Sequence, residues 1–237
     1  MMNATVFSFT RNGALISVKL QQYLESFGFT TKILTTKRYA ELDPALQEIA
    51  PGLQETCKDA FATDRLLVFL GATGIAIRAI APYIRSKTKD PAVISIDERG
   101  KFVIPLLSGH IGGANELAEE LAQGLGALAV ITTATDLNGL FAADQWAREN
   151  SMRICDMGLA KQMSADLLEG KTIGYFTSFP IQGTPPKELA EGPGSGTELE
   201  ISIAASPRSR KALQLIPRCV VLGIGCRKGT SAEAIEI

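Results

Sequence analysis

The chain has 237 residues, 46% of them hydrophobic and 21% charged, so it can bury at least one good core. Its 24 basic and 25 acidic side chains leave a formal net charge of -1. Such a chain has no broad cationic surface for nucleic acid, and no apolar run is long enough to cross a membrane, so we expect neither as a partner. The four cysteines follow no disulfide or zinc spacing, and no signal-peptide pattern is seen; both features favour the cytoplasm.

Short apolar runs alternate with segments of helical periodicity along the first part of the chain. This alternation is typical of an α/β fold with a parallel sheet. Residues 97–100 separate two apolar runs and predict a hairpin turn. The pattern predicts strands at 5–9, 30–34, 65–70, 92–96, 102–106 and 127–132, and helices at 14–27, 44–60, 74–80 and 115–125.

The rest of the chain predicts two further regions. One more helix, strand and helix are expected between 138 and 176, and residues 180–197 have the Pro, Gly and Ser content of a flexible connector or exposed loop. A strand at 218–223 and the start of a helix cannot close a core, so we expect a fragment of a longer protein. We predict an N-terminal parallel-type α/β sandwich domain over 1–136, a smaller α/β middle region over 137–215, and the truncated start of a C-terminal α/β domain over 216–237.

The first glycine-rich turn follows the strand at 65–70 and opens a helix. Amide groups around Gly71, Thr73 and Gly74 could hold an anion at the positive helix end. Alternatively, the two glycines only permit a tight turn. Arg78, one turn into the helix, could face the same ligand or solvent. The turn lacks the spacing of a dinucleotide site and the lysine of a P-loop, so nucleotide binding is weakly indicated.

The most informative segment runs from Ser108 to Glu116 and contains the only histidine, His110. Imidazole exchanges protons near neutral pH, and glycines let amide groups approach an oxyanion. Alternatively, the histidine packs or caps a turn, and Asn115 and Glu116 are ordinary residues of a first helical turn. The candidates here are Ser108, Gly109, His110, Gly112, Gly113, Asn115 and Glu116.

Two more segments carry candidate residues. Residues 132–136 end a predicted strand, so in a parallel sheet they should lie at the same edge as both glycine turns. Thr133 and Asp136 there could orient a polar ligand, or the segment could cap the next helix. Near the end of the sequence, Cys226, Arg227 and Lys228 follow the last predicted strand, and the two cations suit carboxylates.

Together these segments resemble the CbiG family. The resemblance lies in the run from GATGIAIRAIAP to SGHIGGANELAEELA, in ITTATD after it, and in GIGCRKGT near the end. It is strongest over residues 65–136 and resumes at 219–237. Members are cobalt-precorrin-5A hydrolases of anaerobic cobalamin biosynthesis. The resemblance implies an enzyme that opens the δ-lactone of a cobalt tetrapyrrole and releases acetaldehyde, with the cobalt carried by the substrate and no other cofactor or metal.

The implied reaction needs a base and donors for an oxyanion, and the lone histidine in its glycine cluster is our choice for supplying them. We expect His110 to be the catalytic base, with Glu116 as its substitute, and the amides of Gly112 and Gly113 to hold the oxyanion. Neighbouring pathway enzymes and a second copy of the chain are further candidate partners. The alternatives are a tetrapyrrole-binding or scaffolding protein without catalysis, and an unrelated nucleotide- or phosphate-binding α/β enzyme. The residues expected to bind substrate are Gly71, Thr73, Gly74, Arg78, Ser108, Gly109, Gly112, Gly113, Asn115, Thr133, Asp136, Cys226, Arg227 and Lys228.

Overall fold

The computed structural model describes residues 2–86, 88–181 and 183–218. Within this part of the chain, every helix is too short or too polar to span a bilayer. Cys226, Arg227 and Lys228, and all but the first residue of the strand predicted at 218–223, lie outside the described residues.

The first part of the chain forms a seven-stranded sheet in the order β3-β2-β1-β4-β5-β6-β7. All neighbouring strands are parallel except β5 and β6. The strands are β1 (Met2–Ser8), β2 (Phe29–Thr35), β3 (Leu46–Glu48), β4 (Leu66–Leu70), β5 (Ala92–Ile96), β6 (Phe102–Leu107) and β7 (Leu128–Ala129). The helices are α1 (Arg11–Ser26), α2 (Leu53–Thr63), α3 (Thr73–Ile80) and α4 (Ala114–Leu125), with 3-10 turns at Lys37–Leu42 and Ala81–Tyr83.

Helices cover both faces of this sheet. Strands β4 and β5 are buried along their whole length, which explains their unbroken apolar sequences. Because side chains alternate across a strand, Val68 packs in one core cluster and Phe69 in the other. Helices α1 and α4 contribute to the first cluster, and α2 and α3 contribute to the second.

The second part of the chain forms a five-stranded sheet in the order β10-β9-β11-β12-β8. Only the β12–β8 pair is antiparallel. The elements of this second part of the chain are α5 (Ala134–Leu137), α6 (Ala143–Glu149), β8 (Met152–Ile154), α7 (Met157–Leu168), β9 (Ile173–Thr177), β10 (Leu189–Glu191), β11 (Glu198–Ile201) and β12 (Ala212–Pro217). The α/β fold class is therefore confirmed, with two mostly parallel sheets.

Some predicted elements differ from the observed ones. The helix predicted at 44–60 is replaced by β3 and a shorter α2, because Pro51 lacks an amide hydrogen and Gly52 caps the helix that follows. The strand predicted at 127–132 is only Leu128–Ala129. Strands β11 and β12 were not predicted, because buried polar residues such as Glu200 interrupt their apolar pattern.

The segment predicted as a connector at 180–197 contains the edge strand β10 and is anchored at its end. Asp166 is buried and accepts hydrogen bonds from the Thr197 amide at 2.8 Å and from Lys171 Nζ at 2.9 Å. Burial alone would raise the pKa of Asp166, but these bonds outweigh it and hold the pKa well below its ordinary value. The ionised carboxylate thus ties the end of the segment to α7.

The predicted hairpin at 97–100 is present and sets the direction of β6. The carboxylate of Asp97 accepts the amides of Lys101 at 2.6 Å and Phe102 at 2.7 Å. Because β6 runs antiparallel to β5, Leu107 at its end pairs with Val93 near the start of β5. The carboxyl end of β6 therefore lies at the edge where β4 and β5 begin, which we call the amino edge.

Candidate functional site

Residues 108–113 and 132–136 lie together at the amino edge. Strand β7 runs parallel to β6, so the segments that follow both strands leave the sheet on the same side. Ser108 Oγ donates a hydrogen bond of 3.0 Å to the carbonyl of Asp90, just before β5 begins. The expectation that these two segments meet is confirmed by their side-chain contacts at His110.

The 108–113 loop folds tightly back on itself. Ser108 has a positive φ of 58°, a conformation that costs energy in a residue other than glycine. A Cβ on Gly112 would lie only 2.6 Å from the carbonyl oxygen of Ser108, so the loop needs glycine there. The Gly113 amide donates a hydrogen bond of 3.1 Å to the His110 carbonyl, so it is not available to an oxyanion. Of the two amides predicted to hold an oxyanion, only that of Gly112 has no acceptor in the described residues.

The imidazole of His110 lies between two carboxylates. Its Nδ1 is 3.1 Å from Asp144 Oδ1, and its Nε2 is 3.0 Å from Asp136 Oδ2. Thr135 Oγ1 lies 3.4 Å from the same Nε2. The side chains of His110 and Asp144 are each 13% exposed, whereas that of Asp136 is 27% exposed. His110 is thus fixed by a deeper carboxylate on one side and faces a more accessible one on the other.

These carboxylates raise the pKa of His110. The hydrogen bond with Asp144 has the largest effect; burial opposes it, and the charges of Asp144 and Asp136 add to the increase. A bridging imidazole with an acceptor at each nitrogen is therefore favoured as the imidazolium ion. Because the folded-state pKa is raised, these contacts stabilise the protein fully below the unfolded pKa of about 6.5, and the contribution is lost as the pH rises through the folded value.

Asn115 supports the Asp136 side of this cluster. Its Nδ2 donates to Asp136 Oδ2 at 2.5 Å and to Thr133 Oγ1 at 3.0 Å. A Cβ on Gly109 would be 2.7 Å from Asn115 Oδ1, so glycine leaves the space that this amide needs. Four of the predicted site residues, His110, Asn115, Thr133 and Asp136, therefore form one connected network.

Two functional candidates on α6 were missed from the sequence. Asp144 holds His110, and Arg148 Nη2 donates to Glu116 Oε2 at 2.6 Å. Glu116, predicted as a substitute base, is thus paired with a cation and makes no hydrogen bond to His110. The spacing of Asp144 and Arg148 by one helical turn was the signal, but only the packing of α6 shows which loop they face.

The first glycine turn does not join this cluster, so the expectation that three turns share one edge is wrong. Gly71 follows β4, and its amide donates to Ile96 at the carboxyl end of β5. Thr73 Oγ1 lies 3.2 Å from Ser95 Oγ, and the guanidinium of Arg78 lies 3.4 Å from the Gly74 carbonyl. The β5–β6 hairpin reverses the chain, and it therefore places 71–74 and 108–113 at opposite edges.

The His110 cluster opens into a cavity of about 290 Å³, lined in part by Gly109, Glu119, Gly139 and Gln145. The cavity brings an imidazole and a carboxylate within reach of a small reacting group. The arrangement can exchange protons with such a group and can hold a developing negative charge.

The charge state of His110 can be measured directly, because the chain has a single histidine. We expect its imidazole signal in an NMR titration to have a midpoint above 6.5, since Asp144 favours the imidazolium ion. Asp144→Asn should lower the midpoint. Glu149→Gln, a charge change on the same helix without contact to His110, should leave it in place. A wild-type midpoint at or below 6.5 would contradict the geometry.

Comparison with known proteins places this site in a family. The family model described as cobalamin synthesis G N-terminal matches residues 55–136. A cobalt-precorrin-5A hydrolase from Salmonella typhimurium is 37% identical over an alignment of 242 positions, which covers 95% of this chain and 66% of the relative. The chain belongs to the CbiG family. The stretch matched by the CbiG family model contains His110, Asn115 and Asp136, whereas Asp144 lies just beyond it.

Further relatives agree with this assignment. A cobalt-precorrin-5A hydrolase from Priestia megaterium is 28% identical over 215 residues, which cover 83% of this chain and 58% of that protein. The CbiG chain thus spans between 58% and 66% of these two relatives. A crystal structure of a cobalamin biosynthesis protein G homologue from Sulfolobus solfataricus matches with a TM-score of 0.54 and 22% identity, covering 91% of this chain and 60% of that one. This last likeness supports the fold alone.

Proposed function

We propose that this protein is a cobalt-precorrin-5A hydrolase of the cytoplasm, which opens the δ-lactone of a cobalt tetrapyrrole and releases acetaldehyde. The observation that carries the proposal is the 37% identity, over 95% of this chain, to the Salmonella typhimurium protein of that name. The cobalt belongs to the substrate, and we propose no further cofactor. A second copy of the chain and neighbouring pathway enzymes stay predictions as partners.

Lactone hydrolysis requires a proton acceptor for water and a donor for the oxyanion. Above its raised pKa, His110 is a neutral imidazole with its proton on Nδ1 toward Asp144. Its Nε2, beside Asp136, is then our choice for the proton acceptor, because both groups line the cavity. Asp144 fixes the ring through Nδ1 and raises its basicity. The amide of Gly112 is our choice for the oxyanion donor.

Acetaldehyde release then requires the loss of a proton from the newly formed alcohol. The bond between the macrocycle and the carbon that bears this alcohol breaks, and its electron pair passes to the conjugated macrocycle. The hydroxyl proton passes to a base, and acetaldehyde leaves. The same His110 and Asp136 pair can accept this proton, because the network between Asp144 and Asn115 holds both groups at the cavity.

An anaerobic assay tests the proposal. The purified protein, alone and joined to the third of the Salmonella relative that it does not match, is incubated with cobalt-precorrin-5A, and acetaldehyde is measured. We expect stoichiometric acetaldehyde from at least one of the two forms. Tight binding of the tetrapyrrole without acetaldehyde from either form would contradict the proposal and favour a carrier of pathway intermediates.

A further inference from the structure

A second, larger cavity lies beside the His110 cluster. It has a volume of about 540 Å³, within the usual range of sites for small organic ligands. The His110 loop, α6, β8 and the start of α7 line it, together with residues that precede β4 and follow β12. We call it the basic cleft.

The floor of the basic cleft is apolar. Ile111 comes from the His110 loop, Ala147 from α6, and Met152, Ile154 and Met157 from the region of β8 and α7. The isoleucines and methionines are only partly buried, so the cleft offers them to a ligand. Methionine side chains adapt their shape and make favourable contacts with aromatic rings. This floor suits a broad, conjugated ligand body.

The rim of the basic cleft is cationic. Arg65, Arg148 and Arg218 line it, against Asp144, which already contacts His110. Arg65 and Arg218 are exposed, and neither forms an ion pair with the described residues. The Nε of Arg148 is buried without a hydrogen-bond partner in that part of the chain, although its Nη2 pairs with glutamates. In a chain with a net charge of -1, this local excess of guanidinium groups favours a ligand with several carboxylates.

The basic cleft and the His110 cavity are neighbours. Asp144 and Arg148 line the cleft, and Arg148 also lines the cavity around His110. A ligand seated in the cleft therefore lies directly beside the proton-transfer cluster. Side chains that bind a large body next to a reacting group can position that group for catalysis.

We propose that the basic cleft binds the body and carboxylate arms of the substrate tetrapyrrole, with Arg65 and Arg218 as binding residues. The identity of the ligand rests on the proposed function, whereas the requirement for an apolar body with several carboxylates comes from the cleft itself. Neither Arg65 nor Arg218 was a candidate from the sequence. In this proposal the two arginines take the substrate-binding role that we expected for Arg78, which lies at the opposite edge of the sheet.

A binding titration tests this proposal without turnover. Uroporphyrin, a stable tetrapyrrole with carboxylate arms on every ring, serves as the probe, and its fluorescence is followed as protein is added. We expect Arg65→Gln and Arg218→Gln each to raise Kd about fivefold, the upper range for one exposed ion pair, and the double variant to raise it about 25-fold. Mesoporphyrin, which has fewer carboxylates, should respond less to each change.

Arg99→Gln is the matched control. Arg99 is an exposed arginine in the turn of the β5–β6 hairpin, at the opposite edge of the sheet, so its loss changes the net charge equally without touching the cleft. The Kd of Arg99→Gln for uroporphyrin should equal that of the wild type at the same salt concentration. Equal affinities for the wild type, the two single variants and the double variant would overturn the proposal. A loss of affinity in Arg99→Gln as large as in the cleft variants would also overturn it.

The uroporphyrin titration and the acetaldehyde assay test the basic cleft and the proposed reaction separately. Arginine-dependent uroporphyrin binding with no acetaldehyde in the anaerobic assay would keep the cleft as a tetrapyrrole site and refute the hydrolase. Acetaldehyde release with an unchanged KM in the double arginine variant would keep the hydrolase and refute the cleft. Unchanged urea midpoints of the variants exclude misfolding as the cause of weaker binding.

Discussion

Replacing His110 with glutamine is expected to lower the rate of acetaldehyde release by about 10²- to 10⁴-fold, the usual contribution of a positioned acid or base. Glutamine can still hydrogen-bond to Asp136 or Asp144, but it cannot take up a proton. The loss should appear in kcat rather than in KM, because the imidazole lies in the smaller cavity and not in the basic cleft. Single-turnover measurements with cobalt-precorrin-5A under anaerobic conditions give this rate.

Two glutamates provide the comparison for His110. Glu119→Gln changes a charge that lines the same cavity, and we expect it to keep nearly the full rate. Glu116→Gln tests the predicted substitute base, and it should also remain active, because Glu116 pairs with Arg148 rather than with His110. A near-normal rate in His110→Gln with a large loss in Glu116→Gln would exchange the two roles.

Gly194→Ala is expected to destabilise the folded chain by about 3 kcal/mol, the upper range for an added methyl group in a packed interior. A Cβ at this position would overlap the amide nitrogen of Gly174 and the carbonyl oxygen of Thr172. Both are backbone atoms of β9 or the residue before it, so no side chain can move aside. Urea unfolding followed by circular dichroism measures the change in the free energy of unfolding.

Gly52→Ala is the matched control for this substitution. Gly52 has an extended φ of 178°, and a Cβ there would meet no atom within 4 Å. The alanine variant should therefore differ little from the wild type, and by much less than Gly194→Ala. Equal unfolding midpoints for the two variants would show that the segment around Gly194 does not pack against β9 in solution.

The destabilisation of Gly194→Ala matters for the interpretation of the region 180–197. Its composition indicated a connector, because Pro, Gly and Ser dominate linkers. Here glycine serves a different purpose, since it lets two backbone segments approach closely. Composition alone does not distinguish these two uses, whereas the contact of Gly194 with Gly174 does.

Much of the candidate site was predictable because its residues are close in sequence and follow strands. The glycines around His110 indicated a loop that approaches a ligand or itself, and the strand before Asp136 indicated the same sheet edge for both segments. Asp144 and Arg148 were not predictable, because they lie on a helix whose sequence does not specify which loop it packs against. The basic cleft was not predictable either, because Arg65 and Arg218 are far apart in sequence and only the fold brings them together.

The sequence by itself determined the α/β class, the buried central strands β4 and β5, and the family. Local periodicity and unbroken apolar runs are sufficient for the class and for these strands, because a strand buried on both faces has consecutive apolar residues. The family follows instead from the resemblance of the glycine-rich segments. Only the tertiary structure decided which loops meet. The direction of β6 moves His110 to the amino edge, and the packing of α6 then places Asp144 against it. These contacts depend on strand order and helix packing, which join residues that no local pattern connects.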